Sequence, residues 1–158
     1  MAKLLESPLK PPFLPLEEDA SVEVIPTRLH LSRRVFDGML THAQFVMPQE
    51  CVGLLFGLGE TALTRVPLEN TSQDPLRSFY ADPERLVQAL LEAETRGETL
   101  LAIYHSHPDG IARPSIRDLD EANYRVTSII IAPNDGDIRA YYYQPLGYDD
   151  VELLVASS

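Results

Sequence analysis

The stretch DPERLVQALLEAETRGETLLAIYHSHP, residues 82–108, fixes a helix, its stop and a following strand by local signals alone. Asp82 suits an N-cap, Pro83 stands at the first helical position, and Gly97 closes the helix. TLLAIYHSH then reads as a strand, and Pro108 stops it. His105 and His107 stand two apart near the strand's end, so both imidazoles leave the same side of the chain. The sequence has only four histidines, and two of them are concentrated here.

The flanking segments supply the rest of the architecture. HLSRRVFDGMLTHAQFV has Ser32 as a helix cap and an apolar stripe through Leu31, Val35, Met39, Ala43 and Val46, ended by Pro48. ECVGLLFG is a short apolar run suited to a buried strand, TALTRVPLE reads as its strand neighbour, and NTSQDPLRS as a loop. PSIRDLDEANYR predicts a third helix, with Ser115 and Asp118 in the spacing of a capping box. VTSIIIAP and DIRAYYYQ are strands joined by the turn signal NDGD. DVELLVAS reads as a last strand or a short helix. Helices alternate irregularly with neighbouring strands, which predicts an α+β fold with a mixed sheet flanked by helices rather than a doubly wound parallel one.

Length and charge bound what such a chain can be. At 158 residues one domain is expected, large enough to bury a core without staples. The net charge of −11 repels phosphate backbones, so nucleic acid is not an expected partner. Cys51 is the single cysteine and has no internal disulfide partner, which fits a reducing, cytoplasmic location. The first twenty residues lack the apolar run of a secretory signal, and no stretch has the length of a membrane span. Residues 1–26 carry five of the 13 prolines and read as an extended or disordered segment, a loose tail or an arm laid on the body. Residues 27–158 form the expected domain.

The chemistry concentrates after the strand. His105 and His107 aim two nitrogens at one point, and the chain returns through DGIARP into a helix whose first turn carries Asp118. Two imidazoles and a carboxylate suit zinc, and three protein ligands leave a fourth position for water. A solvated strand end with two polar rings, followed by a Ser–Asp helix cap, reads equally from these residues alone. Glu50 adds weight: it stands directly before the buried strand CVGLLFG, where a charged side chain is costly without a task or a partner. A water on zinc needs such a base to take its proton and later return it to a leaving amine. Cys51 reads as a small buried hydrophobe. His30 and His42 read as structural or exposed, and Tyr141 to Tyr143 as strand packing.

ECVGLLFG followed by HSHPDGIARPSIRD resembles the JAMM (MPN+) zinc metalloproteases, whose pattern is E-x-x-G-x-L-x-G, then H-x-H-P, six residues and S-x-x-D. Every position is present: Glu50, His105, His107, Pro108, Ser115 and Asp118. The stretch VPLENTSQDPLRSFYADPERL is similar to prokaryotic members, and the likeness spans about Leu31 to Tyr143. The resemblance implies a curved mixed β-sheet wrapped by helices, in the three-layer arrangement shared with cytidine deaminases. It implies His105, His107 and Asp118 as ligands of one catalytic zinc ion, Glu50 as general base and then acid, and Ser115 as a donor to the oxyanion.

The resemblance also implies the substrate. Family members release ubiquitin-like proteins from lysines or trim small sulfur carriers of that fold. The compact spacing around the site favours a prokaryotic-type enzyme cleaving a peptide or isopeptide bond after the C-terminal Gly-Gly of a ubiquitin-like, sulfur-carrier-type protein. Such a thin tail can lie extended against a strand edge. The alternative is a catalytically silent MPN-type module that holds a protein partner in the same groove, against which the complete ligand set weighs. A DNA-repair relative sharing H-x-H-P is disfavoured by the charge. A homodimer is left open by the sequence.

Overall fold

The computed structural model describes residues 24–157, except 121, 123 and 124. Of the proline-rich segment 1–26, only 24–26 falls within the described residues. The order of elements is β1 (Arg28–Leu31), α1 (Arg33–Phe45), β2 (Val52–Leu58), β3 (Thr61–Leu68), α2 (Pro83–Thr95), β4 (Thr99–Ser106), α3 (Ile116–Asp120), β5 (Thr127–Ala132), β6 (Asp137–Gln144) and β7 (Gly147–Val155). No described helix is long and apolar enough to cross a membrane.

The sheet is mixed, as the element order predicts. β2 runs antiparallel to β3 and β4, β4 parallel to β5, and β5, β6 and β7 form an antiparallel meander. The sheet curves until β1 lies parallel to both β7 and β3, closing it into a ring in the order β1-β3-β2-β4-β5-β6-β7. The β1–β3 contact spans only His30↔Thr61 and Leu31↔Ala62. β1 corrects the sequence reading, which ran Leu31 into the apolar stripe of the first helix. Leu31 is buried in the strand, and the helix begins after Ser32, whose Oγ accepts from the Val35 amide at 3.1 Å.

The two long helices take opposite faces of the sheet. Val35, Met39 and Ala43 of α1 pack with Leu55, Ala102, Tyr104, Ile129 and Ile131. Leu86, Ala89 and Ala93 of α2 pack with Val52, Leu54, Phe56 and Ile103. The strand period of two separates these sets: Ile103 faces α2 while its neighbours Ala102 and Tyr104 face α1. β2 is buried on both faces, which explains why its sequence is continuously apolar. Tyr104 has room only because residue 53 is glycine, since a Cβ there would lie 2.2 Å from the phenol ring. The Tyr104 hydroxyl meets His42 Nδ1 at 2.8 Å and accepts from Arg65 Nη1 at 3.1 Å. Burial, aided by Arg65, drops the His42 pKa to about 4, so this histidine belongs to the packing of α1 as a neutral ring. His30 lies exposed on β1.

Candidate metal centre and active site

Parity along β4 puts His105 on the α2 face, two residues beyond Ile103. The ring is 3% exposed and lies against Phe79, with centroids 4.8 Å apart. His107 follows the strand's last residue and is held by its own amide, which donates to the Ile131 carbonyl at 2.8 Å. The chain then passes over β5 and β6, where Ala112 packs on Ile130, Ala132 and Tyr141. Asn134 Nδ2 donates to the Pro108 carbonyl at 3.0 Å, and the Tyr141 hydroxyl donates to the Ala112 carbonyl. This pinned loop returns residues 115–118 to the two histidines.

At the start of α3 the expected capping box forms. Ser115 Oγ accepts from the Asp118 amide at 3.0 Å, and Asp118 Oδ2 accepts from the Ser115 amide at 2.9 Å. The same carboxylate reaches both imidazoles: Oδ1 is 3.2 Å from His105 Nε2, and Oδ2 is 3.0 Å from His107 Nε2. The two Nε2 atoms are 3.1 Å apart. The structure thus brings His105, His107 and Asp118 together at a single point, with Ser115 exposed beside them.

This donor set fits a divalent cation. A carbonyl can only accept, so His107 must donate from Nδ1 to the Ile111 carbonyl 2.9 Å away. In the neutral ring Nε2 then carries a lone pair, and it faces His105 Nε2 and a carboxylate oxygen. Donor atoms converging at about 3 Å repel unless a proton or a cation lies among them. Without a cation the proton is favoured. Burial works against the charged His107 ring, but Asp118 and the Ile111 carbonyl outweigh it and raise its pKa. Burial likewise opposes an ionised Asp118, yet His105, His107 and the Ser115 amide hold its carboxyl well below the usual range. Two nitrogens and a carboxylate oxygen, with no thiolate, suit zinc with one position left open.

A buried carboxyl, that of Glu50, feels the charges of these three residues. It is 7% exposed and stands two residues before β2, whose Val52 pairs with His105. Burial pushes its carboxyl from 4.5 up to about 7, although the neighbouring His105 and His107 pull the other way. A carboxyl titrating near neutrality can both accept and release a proton there. Cys51, beside it, is buried; burial pushes its thiol up to about 12, which leaves it no nucleophilic role at neutral pH.

Sequence reasoning passes over four contributors: Asn70, Phe79, Asn134 and the hydroxyl of Tyr141. The tyrosine run is strand packing, with Tyr142 buried, but Tyr141 also ties down the motif loop. Asn70 opens a segment read simply as loop. Its side chain bonds the backbone of Glu50, a long-range contact that no local pattern announces.

Comparison with known proteins agrees with this architecture. Residues 32–143 match the model of the prokaryotic homologs of the JAB domain. A probable TtuB-protein conjugate cleaving protease of Thermus thermophilus is 42% identical over 113 residues, covering 72% of this chain and 74% of its own. The desampylase of Haloferax volcanii is 30% identical over 136 residues, covering 82% and 96%. A solution structure of a protein from Desulfitobacterium hafniense superposes with a TM-score of 0.74 at 28% identity, over 82% of this chain and 94% of that one. With its curved mixed sheet, its two helical layers and a family match over residues 32–143, the chain belongs to the prokaryotic JAB branch of the JAMM/MPN family.

Proposed function

We propose that this protein is a zinc-dependent hydrolase that cleaves the peptide or isopeptide bond following the C-terminal Gly-Gly of a ubiquitin-like, sulfur-carrier-type protein. The observation that carries the reading is the convergence of His105, His107 and Asp118 at about 3 Å, beside a buried carboxyl tuned to near neutrality. The names of the Thermus and Haloferax relatives, a conjugate-cleaving protease and a desampylase, support conjugates as the substrate class.

His105, His107 and Asp118 would hold the zinc ion. When bound, zinc supplies Lewis acidity toward a water molecule and the scissile carbonyl. Glu50 takes the proton of the attacking water on its carboxylate and delivers it to the departing lysine amine. Ser115 Oγ spends a lone pair on the Asp118 amide, so its O–H remains free to donate to the oxyanion. Phe79 shields one face of His105 from solvent. The unpaired Cys51 supports a cytoplasmic location.

The test is hydrolysis of a ubiquitin-like carrier conjugate in the presence of zinc, followed by intact mass. Release of the carrier ending in Gly-Gly, abolished in Glu50→Gln, is the expected result. A wild-type protein that carries zinc and cuts no such conjugate would overturn the substrate class. A purified protein without zinc affinity would favour the silent binding module.

A further inference from the structure

Glu50 precedes β2, and the peptide group of this residue is not held by the sheet. The loop between β3 and α2 holds it. The Glu50 amide donates to the Pro75 carbonyl at 2.8 Å, and the Glu50 carbonyl accepts from Asn70 Nδ2 at 2.9 Å. Both backbone groups are therefore satisfied by one loop.

Asn70 is the hub of that loop. A primary amide offers two N–H donors and an oxygen with two lone pairs. Asn70 uses all four. Nδ2 donates to the carbonyls of Glu50 and Ser78, at 2.9 and 3.0 Å. Oδ1 accepts from the amides of Ser72 and Tyr80, at 3.0 and 3.1 Å. Further bonds close the loop on itself, including Thr71 N to the Tyr80 carbonyl at 2.9 Å and Ser72 Oγ to Ser78 Oγ at 2.7 Å. Tyr80 adjoins Phe79, the ring that lies on His105. One amide thus joins the backbone under Glu50 to the loop end that packs against a candidate ligand.

We infer that Asn70 is a positioning residue for the reaction: it clamps the 70–80 loop to the Glu50 peptide and so fixes where the Glu50 carboxyl stands relative to His105, His107 and Asp118. The inference rests on Glu50 as the proton carrier. Asn70 acts through Glu50 and supplies none of the metal donors, which come from the end of β4, the residue after it, and α3. A shift of about 1 Å in such a group can cost about a hundredfold in rate.

Aspartate at this position separates the two halves of the hub. Asn70→Asp keeps both acceptor bonds, to Ser72 and Tyr80, and turns the donor bonds to Glu50 and Ser78 into oxygen–oxygen repulsion. Asn70→Ala removes every one of these bonds, and with them the longer 3.5 Å contact of Nδ2 with the Pro75 carbonyl. Thr71→Val removes only a bond internal to the loop, from Thr71 Oγ1 to the Tyr80 carbonyl. The full-length variants are compared with wild type in three measurements: zinc content, kcat and KM on a carrier conjugate, and hydrogen exchange of individual backbone amides.

Both Asn70 variants should lose kcat by on the order of ten- to a hundredfold, with KM and zinc content at wild-type levels. Exchange of the Glu50 amide should speed up by about tenfold or more, while amides of β2 and β4 stay protected. Thr71→Val should match wild type throughout. Wild-type kcat and Glu50 protection in Asn70→Asp would overturn the inference. So would a loss of kcat accompanied by loss of zinc or of β4 protection, which would mark a general structural role. If the wild type cleaves no conjugate, the hydrolase reading fails separately, and unchanged Glu50 exchange in Asn70→Asp alone rejects the clamp.

Discussion

His107 donates from Nδ1 to the carbonyl of Ile111, 2.9 Å away, and this bond turns its Nε2 toward His105 and Asp118. The imidazole is thus oriented by a main-chain group on the loop that it begins. His107→Ala removes one of the three converging donors. Zinc content measured by atomic absorption should fall from about one ion per chain to near zero, with the sheet intact by circular dichroism. Retention of stoichiometric zinc would exclude His107 from the donor set.

Glu50→Gln keeps the shape of the side chain and removes its basicity. Turnover should drop by about 10² to 10⁴-fold with zinc retained. The substitution also has a stability signature in the metal-free protein. The Glu50 carboxyl rises from 4.5 to about 7 on folding because it is buried, so the folded state holds the proton more tightly. That stabilisation is complete below the ordinary pKa and is lost as pH climbs through about 7. Wild type should match the Glu50→Gln variant in acid and fall behind it by about 2–3 kcal/mol at mildly alkaline pH, read by urea unfolding. A gap independent of pH would mean that Glu50 is not desolvated as the structure indicates.

Ser115→Ala separates capping from catalysis. The Asp118 amide loses its acceptor, while the amide of residue 115 still donates to Asp118 Oδ2. Loss of the cap should cost about 0.5–2 kcal/mol, and zinc should stay. If the hydroxyl also serves the oxyanion, kcat should fall by about 10² to 10³-fold at unchanged KM. A fall of less than about threefold would confine Ser115 to capping.

Gly53→Ala probes the packing beneath the site. Its methyl group would meet the ring of Tyr104 at 2.2 Å, and that ring is tied to His42 and Arg65. Overpacking of this kind should destabilise the fold by about 2–4 kcal/mol. Thermal unfolding within a degree or two of wild type would show that Tyr104 has an alternative seat.

What could be read from the sequence was local. Asp82, Pro83 and Gly97 bracket α2 within sixteen residues, and Gly97 takes the positive φ of 73° that a helix stop favours. Ser115 and Asp118 announce their cap by spacing, and the two-residue interval between His105 and His107 at the end of β4 turns both to one side through strand parity. β1 gives no such signal. Its four residues are too short for a period, and they become a strand by pairing with Thr61–Ala62 and Glu152–Val155. Asn70 was hidden for a related reason: its partners are main-chain groups, among them one twenty residues upstream. Ile111 contributes a carbonyl, which every residue type possesses.

The double use of Asp118 has a bearing on how this motif can vary. Its Oδ2 caps a helix and also faces a histidine, so the S-x-x-D interval is the rise of a first helical turn as much as a ligand spacing. A single residue inserted between the two would rotate the carboxylate by roughly a hundred degrees around the helix axis, away from both imidazoles. Between Ser115 and Asp118 the chain has no slack to absorb such a change.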